Sequence, residues 1–271
     1  MKLIKTRLCC LLLLLFNSFC IQGQINLDRA VFENDYIGIE ELLQEGLNPF
    51  TVESSKSNLI EAVVATNNIH LLDVILKNTQ ALSVANIYTI FSIAINKKQL
   101  DFVKYLLETD THKSIDDISM YNLVALATQH DNVDIYELLI KHLPNIDNAY
   151  MDFLSMAIIS NRFDVFQSIF KNKNIKISER FDDNERNSLV SQAANSPLIL
   201  TFLINQNADV NTPNIKGETA LHLTNNLTMA KLLVKKGANV NALDNQNHTP
   251  LYYAKQQKDI DMIQFLESVS E

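Results

Sequence analysis

The chain has 271 residues, only 5 glycines and 5 prolines, and a formal net charge of −8. So little glycine and proline argues against an all-β fold and against a glycine-rich nucleotide loop, and favours helices joined by short polar loops. The acidic balance repels polyphosphate and anionic lipid, which disfavours nucleic acid and a membrane surface as partners.

The N-terminal stretch reads as a targeting segment. Lys2, Lys5 and Arg7 precede an unbroken apolar run over residues 8–16. That run is far short of the ~20 residues that span a bilayer, and it matches a signal-peptide core. Small residues at Ser18 and Cys20, or less well Ile21 and Gly23, place cleavage after Cys20 or after Gly23. Residues 1–23 are therefore expected to be a signal peptide and 24–271 the folded part, exported to the periplasm or secreted. The alternative is a lipoprotein anchored at Cys20, although Phe19 is bulky where a lipobox carries Gly or Ala. All three cysteines, Cys9, Cys10 and Cys20, fall in this segment, so the mature chain would be held by packing without disulfides. Losing three bases leaves 20 Lys+Arg against 31 Asp+Glu, or −11. The many Asn, Lys and Ile residues suggest an AT-rich bacterial genome.

A period runs through the rest of the chain. Small residues recur at Ala30, Ala62, Ala94, Ala127, Ala157, Ser191, Thr224 and Ala254, in steps of 32, 32, 33, 30, 34, 33 and 30. Twelve residues after seven of them stands a large aliphatic: Leu42, Val74, Leu106, Leu139, Ile169, Leu203 and Leu266. After Thr224 the aliphatic, Leu233, comes after only nine, so that unit lacks about three residues between its helices. Each unit reads as two short helices. The first is centred on the small residue, as in "FSIAI" (91–95) and "FLSMAII" (153–159). The second carries apolar residues at i, i+3 and i+4, as in "DFVKYLLET" (101–109) and "TMAKLLVKK" (228–236). Polar stretches such as "ATNN" (65–68) separate the two. Ser196-Pro197 is expected to open a second helix, Ser as N-cap and Pro in the first turn.

The period and the phrasing resemble the ankyrin repeat. "GETALHL" (217–223), "NHTPLYY" (247–253), "KLLVKKGANVNALDNQ" (231–246) and "NQNADVN" (205–211) carry the likeness, and "ELLQEGLNP" (41–49) is a fair match. Residues 205–271 give clear repeats. Residues 80–185 keep only the small and aliphatic positions and are divergent. The resemblance implies an all-α solenoid of about eight helix-turn-helix units, with Thr219 and Thr249 capping first helices and His222 bonding neighbouring backbone and threonine groups. Gly46, Gly217 and Gly237, with Asn207 and Asn247 in place of glycine, supply left-handed turns.

The sequence shows no G-x-S-x-G, H-E-x-x-H, P-loop or G-x-G-x-x-G. No two histidines share metal-ligand spacing, so no catalytic, cofactor or metal site is expected. "FDDNERNS" (181–188) is acidic but lacks the glycine and final glutamate of a calcium loop, and reads as a solvated, mobile loop. Sequons at Asn226 and Asn247 are read as accidental. The resemblance implies a non-enzymatic scaffold that binds another protein through a concave face and hairpin tips. From repeat phase, the partner-binding residues are Lys216, Glu218, Asn245, Gln246, His248 and Tyr253. Alternatives are an inhibitor, immunity or protective protein for an exported enzyme or toxin, and an enzyme with a site in the divergent units.

Overall fold

A computed structural model describes residues 31–50, 58–79, 82–109, 113–143, 146–181 and 187–270. The signal segment with Cys20, the small residue Ala30, His112 and the centre of the acidic loop, 182–186, lie outside the described residues. The described residues form helices joined by turns and, apart from one isolated bridge between Arg180 and Ser188, contain no β pairing. They form two compact units, one closing at Leu123 and one opening at Val124.

The first unit contains α1 (Tyr36–Gln44), α2 (Leu59–Ala65), α3 (Ile69–Asn78), α4 (Val84–Asn96), α5 (Leu100–Glu108) and the start of α6 (Asp117–Gln129). The second contains the rest of α6, then α7 (Val133–Ile140), α8 (Ile146–Ile159), α9 (Phe163–Asn172), α10 (Leu189–Gln192), α11 (Pro197–Asn205), α12 (Ala220–Leu223), α13 (Leu227–Lys235), α14 (Pro250–Gln257) and α15 (Ile260–Val269). This is the expected all-α array of helix-turn-helix units.

One backbone device reverses the chain between paired helices. A residue in left-handed conformation stands just before the cap of the second helix: Asn34, Asn67, Lys98, Asp131, Asn161 and Lys258, with φ from 52° to 58°. The N–H of the cap residue then reaches back to a first-helix carbonyl: Asn68 to Val63, Gln99 to Ala94, Asn132 to Ala127, Arg162 to Ala157 and Asp259 to Ala254, at 2.7–3.3 Å. This is the six-to-one bond of a Schellman turn, which satisfies a helix-end carbonyl. Asp35, Asn68, Asn132 and Asp259 also cap the next helix through their side-chain oxygens.

Counting from the cap fixes what is buried. Positions three, four and seven beyond it are Leu71, Leu72 and Ile75 in α3; Phe102, Val103 and Leu106 in α5; Ile135, Tyr136 and Leu139 in α7; Val165, Phe166 and Ile169 in α9; Ile199, Leu200 and Leu203 in α11; all are buried. They meet first-helix residues such as Ile90, Phe91 and Ala94 in the first unit, and Phe153, Leu154 and Ala157 in the second. Full burial of each large side chain stabilises by roughly 1.5–3 kcal/mol.

The frame corrects the sequence reading in two places. In the second hairpin the small-residue position falls on Val63, which is buried, while Ala62 is half-exposed; the aliphatic position is accordingly Ile75, not Val74. Adjacent apolar residues gave no means of choosing between phases, and the turn at Asn67 makes the choice. Pro197 does stand in the first turn of α11, but the Ser196 hydroxyl does not cap it. It is buried and donates to the Ile158 carbonyl at 2.5 Å, tying the hairpin to the preceding first helix. The shortened unit is as expected: Thr224 lies two residues before the cap Asn226, where Ala254 lies five before Asp259.

Candidate functional site

The site begins with the turns that carry the chain into α12 and α14. Asn214 and Asp244 open them. Asn214 receives the N–H groups of Lys216 and Glu218 on Oδ1 at 3.0 and 2.9 Å. Asp244 receives those of Gln246 and His248 on Oδ1, both at 2.8 Å. The backbone closes each tip, with Asn214 N–H to Glu218 carbonyl at 2.8 Å and Asp244 N–H to His248 carbonyl at 3.0 Å. Gly217 and Asn247 take the left-handed place, φ 81° and 63°. A Cβ on Gly217 would stand 2.8 Å from the Asn245 backbone nitrogen, so neighbouring tips also approach too closely there for a side chain.

The tips are laced together. Asn245 donates its backbone N–H to the Lys216 carbonyl at 2.9 Å and its side-chain amide to the Ile215 carbonyl at 2.8 Å. The Asn214 amide donates to Asn187 Oδ1 at 3.2 Å and to Glu218 Oε2 at 2.8 Å. Behind them the Tyr253 hydroxyl lies 2.7 Å from Asp244 Oδ2 and 3.1 Å from Glu218 Oε1. Its single proton favours the shorter contact. Hydrogen bonding to Asp244, burial and the nearby Glu218 carboxylate raise the Tyr253 phenol well above its usual value. Burial opposes ionisation of Asp244, but the Tyr253 hydroxyl and the His248 and Gln246 N–H groups outweigh it and hold the carboxyl at about 2. His222 is buried where the resemblance places it. Its Nδ1 receives the Thr219 backbone N–H at 3.1 Å and lies 2.9 Å from Thr219 Oγ1. Thr249 caps α14 through the Tyr252 N–H.

The six residues singled out by repeat phase all lie on this frame, but they divide. Lys216, Asn245 and Gln246 are exposed at the tips. Glu218 is only 8% exposed, with its carboxylate engaged by Asn214 and Tyr253. Tyr253 is half-buried, and His248 is half-buried with its ring stacked on Tyr252 at 3.8 Å and 3°. The apolar side chains that do face outward are Ile215 at 56%, Leu243 at 57% and Tyr252 at 39% exposure. Phase reasoning missed them. The usable signal was that Tyr252 replaces the buried His222, with no buried place for a larger ring.

Stacked helical hairpins joined by hydrogen-bonded tips define a repeat protein. Residues 189–269 match the family Ankyrin repeats in 3 copies, beginning upstream of the clear repeats at 205, so this segment of the chain is made of ankyrin repeats. The chain is 32% identical to human neurogenic locus notch homolog protein 1 over 111 residues, 40% of this chain and 4% of that protein. It is 41% identical to a putative ankyrin repeat protein of Fowlpox virus over 59 residues, 21% of this chain and 31% of the viral one. It is 33% identical to alpha-latrotoxin-Lg1a of Latrodectus geometricus over 127 residues, 44% of this chain and 9% of the toxin. The chain thus spans a small part of the length of each relative.

Elsewhere in the second unit a groove of about 890 Å³ runs along α7 and α9 to Phe202, over Phe170 and Ile175. On its wall the Ser168 hydroxyl donates to Glu137 Oε1 at 2.8 Å, a tie between neighbouring second helices. Among the described residues no three His, Cys, Asp or Glu side chains gather as a metal site, and no helix is long and apolar enough to cross a membrane.

Proposed function

We propose that this protein is a non-enzymatic scaffold that grips a partner protein with the tips of its last two units and the first-helix face beside them. The observation that carries this reading is the contrast at the tips. Backbone hydrogen bonds and buried carboxylates close an internal frame, while Ile215, Leu243 and Tyr252 stand out from it. A rigid frame that presents apolar and aromatic side chains meets the needs of an interface anchor, because little ordering entropy remains to be lost on binding. Ankyrin repeats are in general protein-binding scaffolds, and the matched segment contains these tips. The apolar start of the chain supports export before the scaffold works, with the mature chain beginning at Ile21 or Gln24.

The test is capture of partners from the source organism by the full mature chain, read by mass spectrometry, beside a variant with Ile215→Asp, Leu243→Asp and Tyr252→Ala. These side chains are exposed, so the variant keeps its helicity and melting temperature. A partner held by the wild type and lost from the variant supports the proposal; equal capture by both overturns the site. Intact mass of the native protein tests export, and a full-length or acylated N-terminus contradicts the cleavage proposed.

A further inference from the structure

The last tip carries, unused, the groups by which the tip before it is held. Asn211 and Asn245 lace the two together. The Asn211 side-chain amide donates to the Gly237 carbonyl at 2.9 Å, and its Oδ1 receives the Asn239 N–H at 2.8 Å. One side chain thus engages a main-chain carbonyl and the N–H two residues on. The Ile215 and Lys216 carbonyls receive the Asn245 side-chain amide and backbone N–H at 2.8 and 2.9 Å. Asn241, Asn245 and Gln246 occupy the places of Asn211, Ile215 and Lys216 in the following unit. Asn214 and Asp244 close the two turns with the same bonds, so the places correspond in space as well as in sequence. Asn241 is exposed, and its side-chain amide has no partner among the described residues; nor have the Asn245 and Gln246 carbonyls. The apolar places beside them follow suit. Leu221, His222 and Ala230 are buried under the next hairpin, whereas their counterparts Leu251 and Ile263 are half-exposed and Tyr252 is exposed.

We infer that this edge takes an extended segment of the partner protein, which adds to the last tip as residues 237–245 add to the tip before it. It rests on the protein-binding reading and names what the partner must bring. The interface between the two tips sets the chemistry group by group. Asn241 needs a carbonyl and the N–H two residues on, the Gln246 carbonyl a further main-chain N–H, and the Asn245 carbonyl a side-chain donor. Main-chain bonds of this kind supply affinity at an open edge, and side-chain contacts, here with Leu243 and Tyr252, supply choice. A second copy cannot complete the edge tip to tip, because the Asn245 and Gln246 carbonyls of both copies only accept. The opposite edge of the same tip is already occupied, since the Asn245 N–H and amide are given to the preceding unit.

A pair of single variants tests the edge, first without a partner. Asn211→Ala removes an amide bonded inside the protein and should lower the urea midpoint. Asn241→Ala removes the same amide from the free edge and should leave the midpoint where it was. An equal fall in both shows that Asn241 is engaged within the chain and overturns the inference. The full mature chain then captures its partner from the source organism, and the captured protein is titrated with wild type and with Asn241→Ala. Loss of two main-chain hydrogen bonds should weaken binding by about tenfold. Amide hydrogen exchange of the partner in the complex should show slowed backbone N–H groups along an extended segment. Unchanged affinity in Asn241→Ala, or no such slowed segment, overturns the edge. Tip binding still stands in that case if the Ile215, Leu243 and Tyr252 variant has lost the partner. No capture by the wild type overturns both readings. Self-association of the chain in sedimentation, lost in Asn241→Ala, puts a second copy on the edge and overturns the inference as well.

Discussion

The central hairpins and the C-terminal ones solve the same stacking problem with different chemistry. In the centre the first helices are long, 13 residues in α4 and 14 in α8, and they bring Phe91 and Phe153 into the core. In the C-terminal part α10 and α12 have four residues each. There the hydrogen-bonded tips of Asn214, Glu218, Asp244 and Tyr253 supply what a longer apolar helix supplies elsewhere. The Thr-x-Leu-His type of phrase is therefore one way to hold a hairpin. Units without it keep the period by packing and scattered side-chain ties such as Ser168 to Glu137, so residues 80–185 need retain only the small and aliphatic positions.

Removing a ring from the centre should show the largest effect. Phe153→Ala empties a fully buried place beside Tyr136 and should cost about 3–5 kcal/mol in urea unfolding followed by circular dichroism. A loss below about 1 kcal/mol would mean that packing does not hold this hairpin. The C-terminal counterpart is Asp244→Ala, which strips the acceptor from two backbone N–H groups and from Tyr253 and should cost about 1–3 kcal/mol. Its stabilisation is linked to acid. With the folded carboxyl at about 2 against 3.8 unfolded, it is complete above 3.8 and drains away as pH falls towards 2. Melts taken down through that range should be less steep in Asp244→Asn; an unchanged slope would show that other groups carry the acid limb. Ala127→Leu overpacks a fully buried first-helix position and should cost about 1–3 kcal/mol by the same unfolding measurement. The smallest effect has the opposite sign. Lys98 holds φ 57°, a conformation that costs an L-residue about 1–2 kcal/mol. Lys98→Gly relieves it against about 0.5–1 kcal/mol of chain entropy, so the urea midpoint should rise slightly.

The period, the pairing of helices and the buried aliphatic places were legible because burial demands apolar residues at fixed intervals along each helix. Left-handed turns were legible where glycine or its Asn substitute stood in a family phrase, at Gly217, Gly237 and Asn247. They were not legible at Lys98, whose side chain announces nothing about φ. Glu218 illustrates the limit at the site. A glutamate at a turn looks solvent-facing, and its burial depends on an amide from Asn214 and a hydroxyl 35 residues away. Tyr253, chosen from repeat phase as partner-facing, turns inward for the same reason: the acceptors that draw it in belong to two different tips.

The ties between hairpins are short in sequence, from 26 residues for His222 to His248 up to 38 for Ser196 to Ile158. Each hairpin can find its bonding partners as soon as its immediate predecessor has emerged and folded. Loop closure then stays at roughly one repeat for every step, and the entropy of bringing distant ends together is never met all at once. Such a chain can be assembled one hairpin after another, each against its predecessor.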